Sequence, residues 1–463
     1  MAKGGYVPKT FFVITMGCQM NEYDSDFLAR TLIHDGFLPS DNPESADLVL
    51  INTCTVRDKP EQKAFSALGR MGVIKRRKPD MILGMVGCLA QQYGAKLLKR
   101  FPQLDLVLGP RELSRIQDVL KSLGQGRGKV VATDLGMEMS RPLSFRHHFR
   151  GRITGSISIM NGCNNFCSYC IVPFVRGREI SRPPEEILIE AENMISDGIK
   201  EIMLLGQNVN SYQWGKKDNW NFPSLIREVG KLKGLLRLRF ATSHPKDVSF
   251  ELIRCFRQVN TLCPHLHLPF QAGSTRILQR MKRDYTREEY MELVDNLREV
   301  RPDIAITSDV MVGFPGETEK DFEMTLDLVE RIRFDALFSF KYCDRGGTLA
   351  AKMSDKVGEK EKASRLSVLQ ELQKRISLEM NKDLEMKQLD VLVEGQSKRG
   401  DQLTGRTGTN KVVNFTGDIN KIGSLVKIKI KHGFQNSLLG EFSGDANPSF
   451  KTEVLAPPST VYT

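Results

Sequence analysis

Three closely spaced cysteines are the residues best suited to chemistry in this 463-residue chain. Cys163, Cys167 and Cys170 follow a C-x3-C-x2-C spacing, and the aromatic Tyr169 precedes the last of them. Three thiolates at this spacing can hold one corner of a small iron–sulfur cluster, but they cannot complete the four-ligand shell that structural zinc normally takes. A fourth iron without a protein ligand would be open to an outside ligand. The alternatives are a zinc site with a distant fourth ligand and three buried cysteines.

A second set of cysteines lies within the first 140 residues. Cys18, Cys54 and Cys88 each end a short apolar, β-prone run and precede a helical pattern. Alternation of strands and helices indicates a parallel sheet, which binds ligands at the carboxyl ends of its strands. We therefore expect the three thiols to converge on one rim as a second cluster site. The alternative is ordinary packing, since cysteine is often buried.

Strand-like and helical runs also alternate around the three-cysteine motif, between residues 141 and 380. Six such β/α units predict an open, partial version of the parallel (β/α)8 barrel, a (β/α)6 barrel whose functional loops lie at the carboxyl ends of the strands. The predicted strands are 153–160, 201–205, 236–241, 265–269, 304–312 and 336–342.

Polar and glycine-rich stretches follow four of these strands. Their amides and hydroxyls can bind the amino, carboxylate and ribose groups of a nucleoside cofactor, and their glycines allow close backbone approach. The stretches are 207–210, 242–245, 271–274 and 312–317. Cys255, Cys263 and Cys343 lack cluster spacing, so we expect them to be packing residues.

The composition is that of a globular protein, with 40% hydrophobic and 8% aromatic residues. No apolar run reaches the ~18 residues that a membrane span needs. Nine cysteines without an export signal favour a reducing compartment, and we expect a cytoplasmic protein without a membrane partner. The net charge of +11 is typical of proteins with an anionic partner such as nucleic acid, and the alternative is a merely solvated surface.

The pattern changes after a charged helical run that ends near residue 386. Five short alternating strands with glycine turns predict a small antiparallel β-barrel over 381–446. Lys427, Lys429 and Lys431 alternate with isoleucines and give this barrel a basic face, for which the alternative is a solvated surface. The expected domains are 1–140, 141–380 and 381–446, followed by a flexible tail over 447–463.

Taken together, these motifs resemble the methylthiotransferase family of radical S-adenosylmethionine (SAM) enzymes over nearly the whole chain. The resemblance rests on stretches 17–21, 52–54, 161–170, 173–182 and 205–212. One small departure is Ala272, where the family commonly has serine. Such proteins have a cysteine-bearing N-terminal α/β domain, a central radical SAM domain and a C-terminal TRAM domain that binds RNA.

The resemblance implies two [4Fe–4S] clusters and SAM as cofactors. It assigns Cys163, Cys167 and Cys170 to a cluster whose open iron binds SAM. It assigns an auxiliary cluster, which supplies or carries the inserted sulfur, to Cys18, Cys54 and Cys88. Residues expected in the SAM pocket are Tyr169, Gln207, Asn208, Ser243 and Gly313.

The implied activity is addition of a methylthio group to C2 of N6-isopentenyladenosine at position 37 of tRNA. One SAM donates the methyl group, and another yields a 5′-deoxyadenosyl radical that removes the C2 hydrogen. The implied partners are the tRNA anticodon stem-loop, an electron donor and a protein that supplies sulfur or repairs the cluster. The alternatives are the relative that modifies an aspartate of ribosomal protein S12, and a non-catalytic RNA-binding protein with metal clusters.

Overall fold

The structure is a computed structural model that describes residues 10–55, 58–126, 128–136, 148–215, 220–398 and 400–446. The expected flexible tail lies outside the described residues. Within them, no helix is long and apolar enough to cross a membrane.

The N-terminal part is a six-stranded parallel sheet with helices on both faces, as the sequence predicts. The order of its strands is β2-β1-β3-β4-β5-β6. The strands are β1 (Thr10–Met16), β2 (Leu38–Pro39), β3 (Leu48–Thr53), β4 (Ile82–Gly87), β5 (Leu106–Leu108) and β6 (Val130–Ala132). The helices are α1 (Gln19–His34), α2 (Asp58–Arg77), α3 (Cys88–Tyr93), α4 (Ala95–Arg100) and α5 (Ile116–Gly124).

Strand β3 shows why this sheet is covered on both sides. All six of its residues are buried, and successive side chains point to opposite faces. Val49 and Ile51 join one apolar cluster, while Leu48 and Leu50 join another on the other face. A strand buried on both faces in this way is typical of parallel sheets that carry helices on either side.

The central part contains the six parallel strands of the predicted open barrel. They form two three-stranded sheets, β13-β10-β7 and β14-β15-β16. An isolated parallel bridge pairs Leu238 of β13 with Leu262, which lies just before β14, and so connects the two sheets. These strands are β7 (Thr154–Ser158), β10 (Glu201–Leu205), β13 (Arg237–Phe240), β14 (His265–His267), β15 (Ala305–Val312) and β16 (Ala336–Lys341). Four minor strands are β8 (Met160–Asn161), β9 (Ile180–Ser181), β11 (Gln213–Trp214) and β12 (Trp220–Asn221).

Helices cover the outside of this half-barrel and share one apolar core with its strands. They are α7 (Pro184–Ser196), α8 (Phe222–Gly230), α9 (Phe250–Gln258), α10 (Thr275–Arg280), α11 (Arg287–Val300), α12 (Glu319–Ile332) and α13 (Glu359–Lys382). The short helix α6 (Val172–Arg176) packs instead on α3 of the N-terminal part. The long helix α13 packs on β16 and leads to the last domain.

The C-terminal part is a closed five-stranded barrel with the order β17-β18-β19-β21-β20. Its strands are β17 (Gln388–Gln396), β18 (Leu403–Thr407), β19 (Val412–Thr416), β20 (Leu425–Gly433) and β21 (Leu438–Asp445). The prediction of a small barrel is confirmed. It is antiparallel at every pairing except that of β19 with β21, which is parallel.

Two buried arginines of β13 attach the barrel to the central domain. Arg237 donates hydrogen bonds to the carbonyl oxygens of Asp390, at 2.9 Å, and of Arg406. Arg239 donates to the carbonyl oxygens of Thr407 and Gly408 at 2.7 and 2.8 Å. Such charge-assisted bonds fix the barrel relative to the half-barrel.

Candidate functional site: two facing groups of cysteines

Cys18, Cys54 and Cys88 lie together at the carboxyl ends of three neighbouring strands. Strands β1, β3 and β4 are adjacent, and Thr53 is paired with both Met16 and Gly87. Cys54 directly follows Thr53, and Cys88 directly follows Gly87. Cys18 comes two residues after Met16. The parallel register therefore brings the three cysteines to one rim of the sheet.

Two asparagines hold this rim in shape. The Asn21 amide nitrogen donates to Asn52 Oδ1 at 3.0 Å, and the Asn52 amide nitrogen donates to the Asn21 carbonyl at 2.8 Å. The glycines before Cys18 and Cys88 leave room for them. A Cβ atom on Gly17 or on Gly87 would lie 2.3 Å from the side-chain oxygen of Asn21 or Asn52, respectively.

The rim thiols have different electrostatic surroundings. A hydrogen bond with Cys54, which outweighs desolvation by burial, lowers the pKa of Cys18 to about 6. Burial raises the pKa of Cys88, although Arg176 opposes the rise. Metal binding requires thiolates, so a metal at this rim would meet Cys18 already ionised near neutral pH, whereas Cys88 would have to release a proton.

Arg176 connects the rim with the central domain. Its Nε donates to Cys88 Sγ at 3.3 Å, and its Nη2 donates to Asp24 Oδ2 at 2.7 Å. The remaining terminal nitrogen, Nη1, is buried without a partner among the described residues. An arginine that follows the three-cysteine loop therefore reaches across to a thiol of the other domain.

The three-cysteine loop runs between β8 and α6 at the mouth of the half-barrel. Gly162 opens it with φ +85°, and a Cβ there would lie 2.2 Å from the Arg178 carbonyl oxygen, so only glycine fits. Ser168 fixes the other side of the loop. Its backbone N–H donates to the Met281 carbonyl at 2.9 Å, and its hydroxyl donates to the Arg280 carbonyl at 2.8 Å.

The thiols of this loop are shielded from water. Cys163 and Cys167 are buried, and Cys170 is partly buried. Burial raises the pKa of Cys163 to about 11 and that of Cys170 to about 12. The Cys163 and Cys170 thiols are therefore protonated in the metal-free chain at neutral pH, and a cation would have to displace their protons to bind.

The chemistry of the two groups of cysteines fits iron–sulfur clusters. In the part of the chain that the structure describes, no group of three or more His, Cys, Asp or Glu residues is placed to hold one metal ion. In a [4Fe–4S] cluster each cysteine binds a different iron, so the sulfurs need not meet at one point. Each of the two groups supplies three cysteines for such a cluster. The unpartnered Arg176 Nη1 lies beside one of the groups.

The two groups face each other across the domain boundary. Cys88 packs in one buried cluster with Ile171 and Val175, which follow Cys170 along the chain. Helix α3, which begins at Cys88, packs on α6. The contacts of these helices therefore place the N-terminal rim opposite the mouth of the half-barrel.

Buried polar atoms without partners lie around the mouth. Within the described residues they include both amide atoms of Asn161, the amide nitrogen of Gln207, Oδ1 of Asn208, Oγ of Ser243 and Nε2 of His244. Buried polar groups are normally hydrogen-bonded, so this concentration points to a polar ligand. A molecule with amino, carboxylate and ribose groups, such as SAM, fits it.

The five residues expected in a SAM pocket all lie at this mouth. Gln207 accepts a hydrogen bond from the Gly162 N–H, and Asn208 donates to Asp247 Oδ2 at 2.7 Å. Tyr169 lies edge-on to Phe314, the residue after Gly313.

Position 313 accepts only glycine. Its φ is +70°, its N–H donates to Glu317 Oε1 at 2.8 Å, and a Cβ would lie 2.3 Å from Lys362 Cγ. Its expected part in the pocket is therefore to allow close approach of the backbone.

Sequence reasoning missed several residues of the site. Arg283 donates to Cys167 Sγ at 3.7 Å and is buried, but nothing in its neighbourhood marks it in the sequence. Asn161 and Arg176 lay within the stretches that carry the resemblance, without an assigned role. The motif Asn161-Gly162-Cys163 was the available signal for the first of them.

Comparisons with known proteins agree with this architecture. The profile of the radical SAM superfamily matches residues 157–329, that of uncharacterized protein family UPF0004 matches 10–109, and that of the TRAM domain matches 383–442. The radical SAM methyltransferase TsrM from Kitasatospora setae has a similar fold, with a TM-score of 0.55 at 17% identity over 74% of this chain and 77% of that one. A half-barrel with a three-cysteine loop at its mouth thus defines a radical SAM protein, and this class uses SAM and a [4Fe–4S] cluster.

Two curated relatives identify the family. A tRNA-2-methylthio-N(6)-dimethylallyladenosine synthase of Syntrophus aciditrophicus is 48% identical over 94% of this chain and 94% of its own length. A protein of the same name from Geobacter sulfurreducens is 47% identical over 94% of this chain and 98% of its own. The chain belongs to this family of radical SAM methylthiotransferases, known as MiaB.

Proposed function

We propose that this chain adds a methylthio group to C2 of N6-dimethylallyladenosine (isopentenyladenosine) at position 37 of tRNA. The observation that carries the proposal is the packing of Cys88 against Ile171 and Val175. It joins a sulfur-bearing rim to the three-cysteine loop, as a reaction that uses both groups requires. The names of the relatives support the substrate and the product.

The six cysteines are the proposed cluster ligands. Cys163, Cys167 and Cys170 hold the cluster that binds SAM, and the burial of Cys163 and Cys167 keeps it away from water. A second, auxiliary [4Fe–4S] cluster is held by Cys18, Cys54 and Cys88. Asn21 and Asn52 keep that rim in place through their mutual hydrogen bonds.

The chain's own residues position SAM and exclude water. Gln207, Asn208 and Ser243 present polar atoms that lack protein partners, and these atoms would bind the polar groups of SAM. Tyr169 and Gly313 shape the wall between the cluster loop and β15. Burial lowers the pKa of His244 to about 2, so this side chain stays neutral and adds no charge to the pocket.

The bound cofactors supply the difficult step. The C2–H bond is not acidic, so no side-chain base removes its proton at neutral pH, and the reduced cluster with SAM supplies one-electron chemistry instead. The residues of the mouth hold adenine, SAM and the sulfur-bearing rim close together, which is the contribution that a protein makes to such chemistry.

The barrel over 381–446 is the proposed RNA-binding domain. Lys427 and Lys431 form ion pairs with Asp390 at 3.1 Å and with Glu441 at 2.7 Å. Lys429 has no ion-pair partner within 4 Å among the described residues, although it helps Lys431 to lower the pKa of Glu441, so of the three lysines it has the charge most available to a phosphate. Other basic clusters are partly used within the protein, since Lys78 pairs with Asp47 at 2.9 Å.

The remaining expectations complete the proposal. The functional domains span residues 1–140, 141–380 and 381–446, and the protein works in the cytoplasm. An electron donor must reduce the cluster, and a protein that supplies sulfur must rebuild the auxiliary cluster, since the chemistry consumes an electron and a sulfur atom.

A choice among acceptors tests the proposed function. Anaerobically reconstituted protein is incubated with SAM and a reductant, and one of three acceptors is added: an anticodon stem-loop with dimethylallyladenosine, the same stem-loop with unmodified adenosine, or ribosomal protein S12. We expect the methylthio product only with the first. Modification of S12 would favour the aspartate-modifying relative, and no product from an iron-loaded protein would favour a non-catalytic RNA-binding protein.

A further inference from the structure

Arg283 is a buried cation beside the three-cysteine loop. Only 5% of its surface is exposed. Lys282 and Asp284, on either side of it, have φ values of +56° and +54°, which side-chain-bearing residues seldom adopt. The backbone is therefore held in an unusual shape that directs Arg283 inward.

The hydrogen bonds of Arg283 aim it at the cysteine loop. Its Nε donates to the Tyr285 hydroxyl at 3.1 Å, and its Nη2 donates to the Pro269 carbonyl at 2.7 Å. With those two contacts fixed, its Nη1 points to Cys167 Sγ at 3.7 Å. The neighbouring Ser168 is tied to the same segment through the Met281 carbonyl.

No carboxylate in the described part of the chain forms an ion pair with Arg283, although many other arginines have such partners. A buried charge without a counter-ion is strongly destabilising, and a guanidinium cannot lose its proton to avoid that penalty. The anion that balances Arg283 must therefore come from the loaded protein. The Cys167 thiolate, with the cluster that it would bind, lies within contact distance of the Arg283 guanidinium.

The other group of cysteines has a contrasting arrangement. Arg176 contacts Cys88 Sγ at 3.3 Å, but it also forms a buried ion pair with Asp24 at 2.7 Å. Its charge is therefore compensated by the protein. One group of cysteines faces a free positive charge, and the other faces a neutral pair.

We propose that Arg283 is the counter-ion of the SAM-binding cluster and raises its reduction potential, whereas Asp24 prevents Arg176 from doing the same for the auxiliary cluster. This inference rests on the cluster assignments of the proposed function. Nearby net charge and hydrogen bonds to sulfur set the potential of iron–sulfur clusters. A positive charge stabilises the reduced, more negative cluster, so the incoming electron is directed to the cluster that cleaves SAM.

The reduction potential of each cluster tests the inference. In a chain with Cys18, Cys54 and Cys88 replaced by alanine, only the SAM-binding cluster is present, and its potential is measured by electron paramagnetic resonance at a series of poised potentials. Adding Arg283→Gln should shift the potential to a more negative value. Arg283→Lys keeps the charge and should leave it close to that of the parent.

Arg287→Gln is the matched control. Arg287 is also a buried arginine of the central domain, but its Nη1 donates to the Gly273 carbonyl at 3.3 Å, its Nη2 pairs with Asp327, and among the described residues it contacts no cysteine. Its replacement should leave the potential unchanged. Equal potentials in the parent and in Arg283→Gln, or an equal shift in Arg287→Gln, would overturn the proposed role of Arg283.

A mirror experiment covers the case in which Arg283→Gln fails to hold a cluster. In a chain with Cys163, Cys167 and Cys170 replaced by alanine, Asp24→Asn frees the charge of Arg176. The potential of the auxiliary cluster should then rise, and an unchanged potential would overturn the inference. If either parent chain bound no iron at all, the cluster assignments themselves would be wrong, which distinguishes that failure from the failure of the counter-ion role.

Discussion

Asp26 and Arg152 form an ion pair across the boundary between the N-terminal and central domains, with Nη1 of Arg152 2.8 Å from Oδ1 of Asp26. The same oxygen lies 3.1 Å from His148, and Arg30 approaches the other oxygen at 3.5 Å. One carboxylate of α1 thus gathers three basic side chains, two of them from the start of the central domain. This cluster fixes the rim of cysteines relative to the half-barrel.

The surroundings of Asp26 make domain docking sensitive to acid. Burial opposes ionisation of this carboxyl, but His148, Arg30 and Arg152 outweigh it and lower its pKa from 3.8 to about 2. Because the folded-state pKa is depressed, the contribution to stability is complete above pH 3.8 and is lost as the pH falls towards 2. A shift of this size corresponds to about 2 kcal/mol.

Asp26→Asn should therefore lower the free energy of unfolding of the iron-free protein by about 2 kcal/mol at pH 7. The difference from the unchanged protein should shrink between pH 4 and pH 2, as followed by circular dichroism in urea. Asp41→Asn, at an exposed position, serves as the control and should have little effect. A difference for Asp26→Asn that stayed constant down to pH 2 would contradict this account of the ion pairs.

Iron content should separate the two groups of cysteines. The reconstituted protein should hold about eight iron atoms, and replacing either group of three cysteines by alanine should leave about four. Cys263→Ala alters a buried cysteine outside both groups and should leave the content at about eight. Zinc at about one or two atoms per chain, with little iron, would instead indicate structural metal sites.

The unpartnered hydroxyl of Ser243 should contribute to SAM binding. Ser243 is buried, and its Oγ has no partner in the described part of the chain. Ser243→Ala should weaken SAM binding about tenfold, the effect of one lost hydrogen bond of ~1–1.5 kcal/mol, without lowering the stability of the protein. Binding is measured by equilibrium dialysis on the cluster-loaded protein.

Ser308→Ala is the matched control for Ser243. The Ser308 hydroxyl donates to the Leu268 carbonyl at 2.7 Å and accepts from the Phe270 N–H at 2.9 Å. Its loss should lower stability and leave SAM affinity unchanged. Unaltered affinity in Ser243→Ala would remove this residue from the pocket.

Lys429 should contact the RNA backbone. Lys429→Glu should weaken binding of the anticodon stem-loop and lower the slope of log affinity against log salt by about 1, since at least one phosphate contact is lost. Lys431→Glu, on the same strand, is the control with a smaller effect, because Lys431 is paired with Glu441. Iron content should be the same in both variants, and equal affinities across several salt concentrations would assign RNA binding to another surface.

The sequence predicted those parts of the site that depend on local pattern and sheet topology. The spacing of Cys163, Cys167 and Cys170 defines a loop by itself. Parallel strands force Cys18 and Cys88 to one rim once the strand–helix alternation is recognised. The predicted architectures, a parallel sheet, an open half-barrel and a small closed barrel, were recovered because each has its own periodicity.

Contacts between domains could not be predicted in the same way. Asp24 and Arg176 are 152 residues apart, and Cys167 and Arg283 are 116 apart, so no local pattern links them. Arginines are usually exposed, and nothing in the sequence marks Arg283 as buried. The parallel pairing of β19 with β21 also depends on closure of the barrel and not on the residues of either strand.

Products of the cysteine variants test the central claim, that the two groups of cysteines act in one reaction on tRNA. Reconstituted protein is incubated without oxygen with SAM, a reductant and tRNA carrying dimethylallyladenosine, and 5′-deoxyadenosine and the methylthio nucleoside are measured together. The account predicts both products from the unchanged protein, neither from Cys163→Ala, and 5′-deoxyadenosine alone when Cys18, Cys54 and Cys88 are all replaced by alanine. Formation of the methylthio nucleoside by either variant would contradict it.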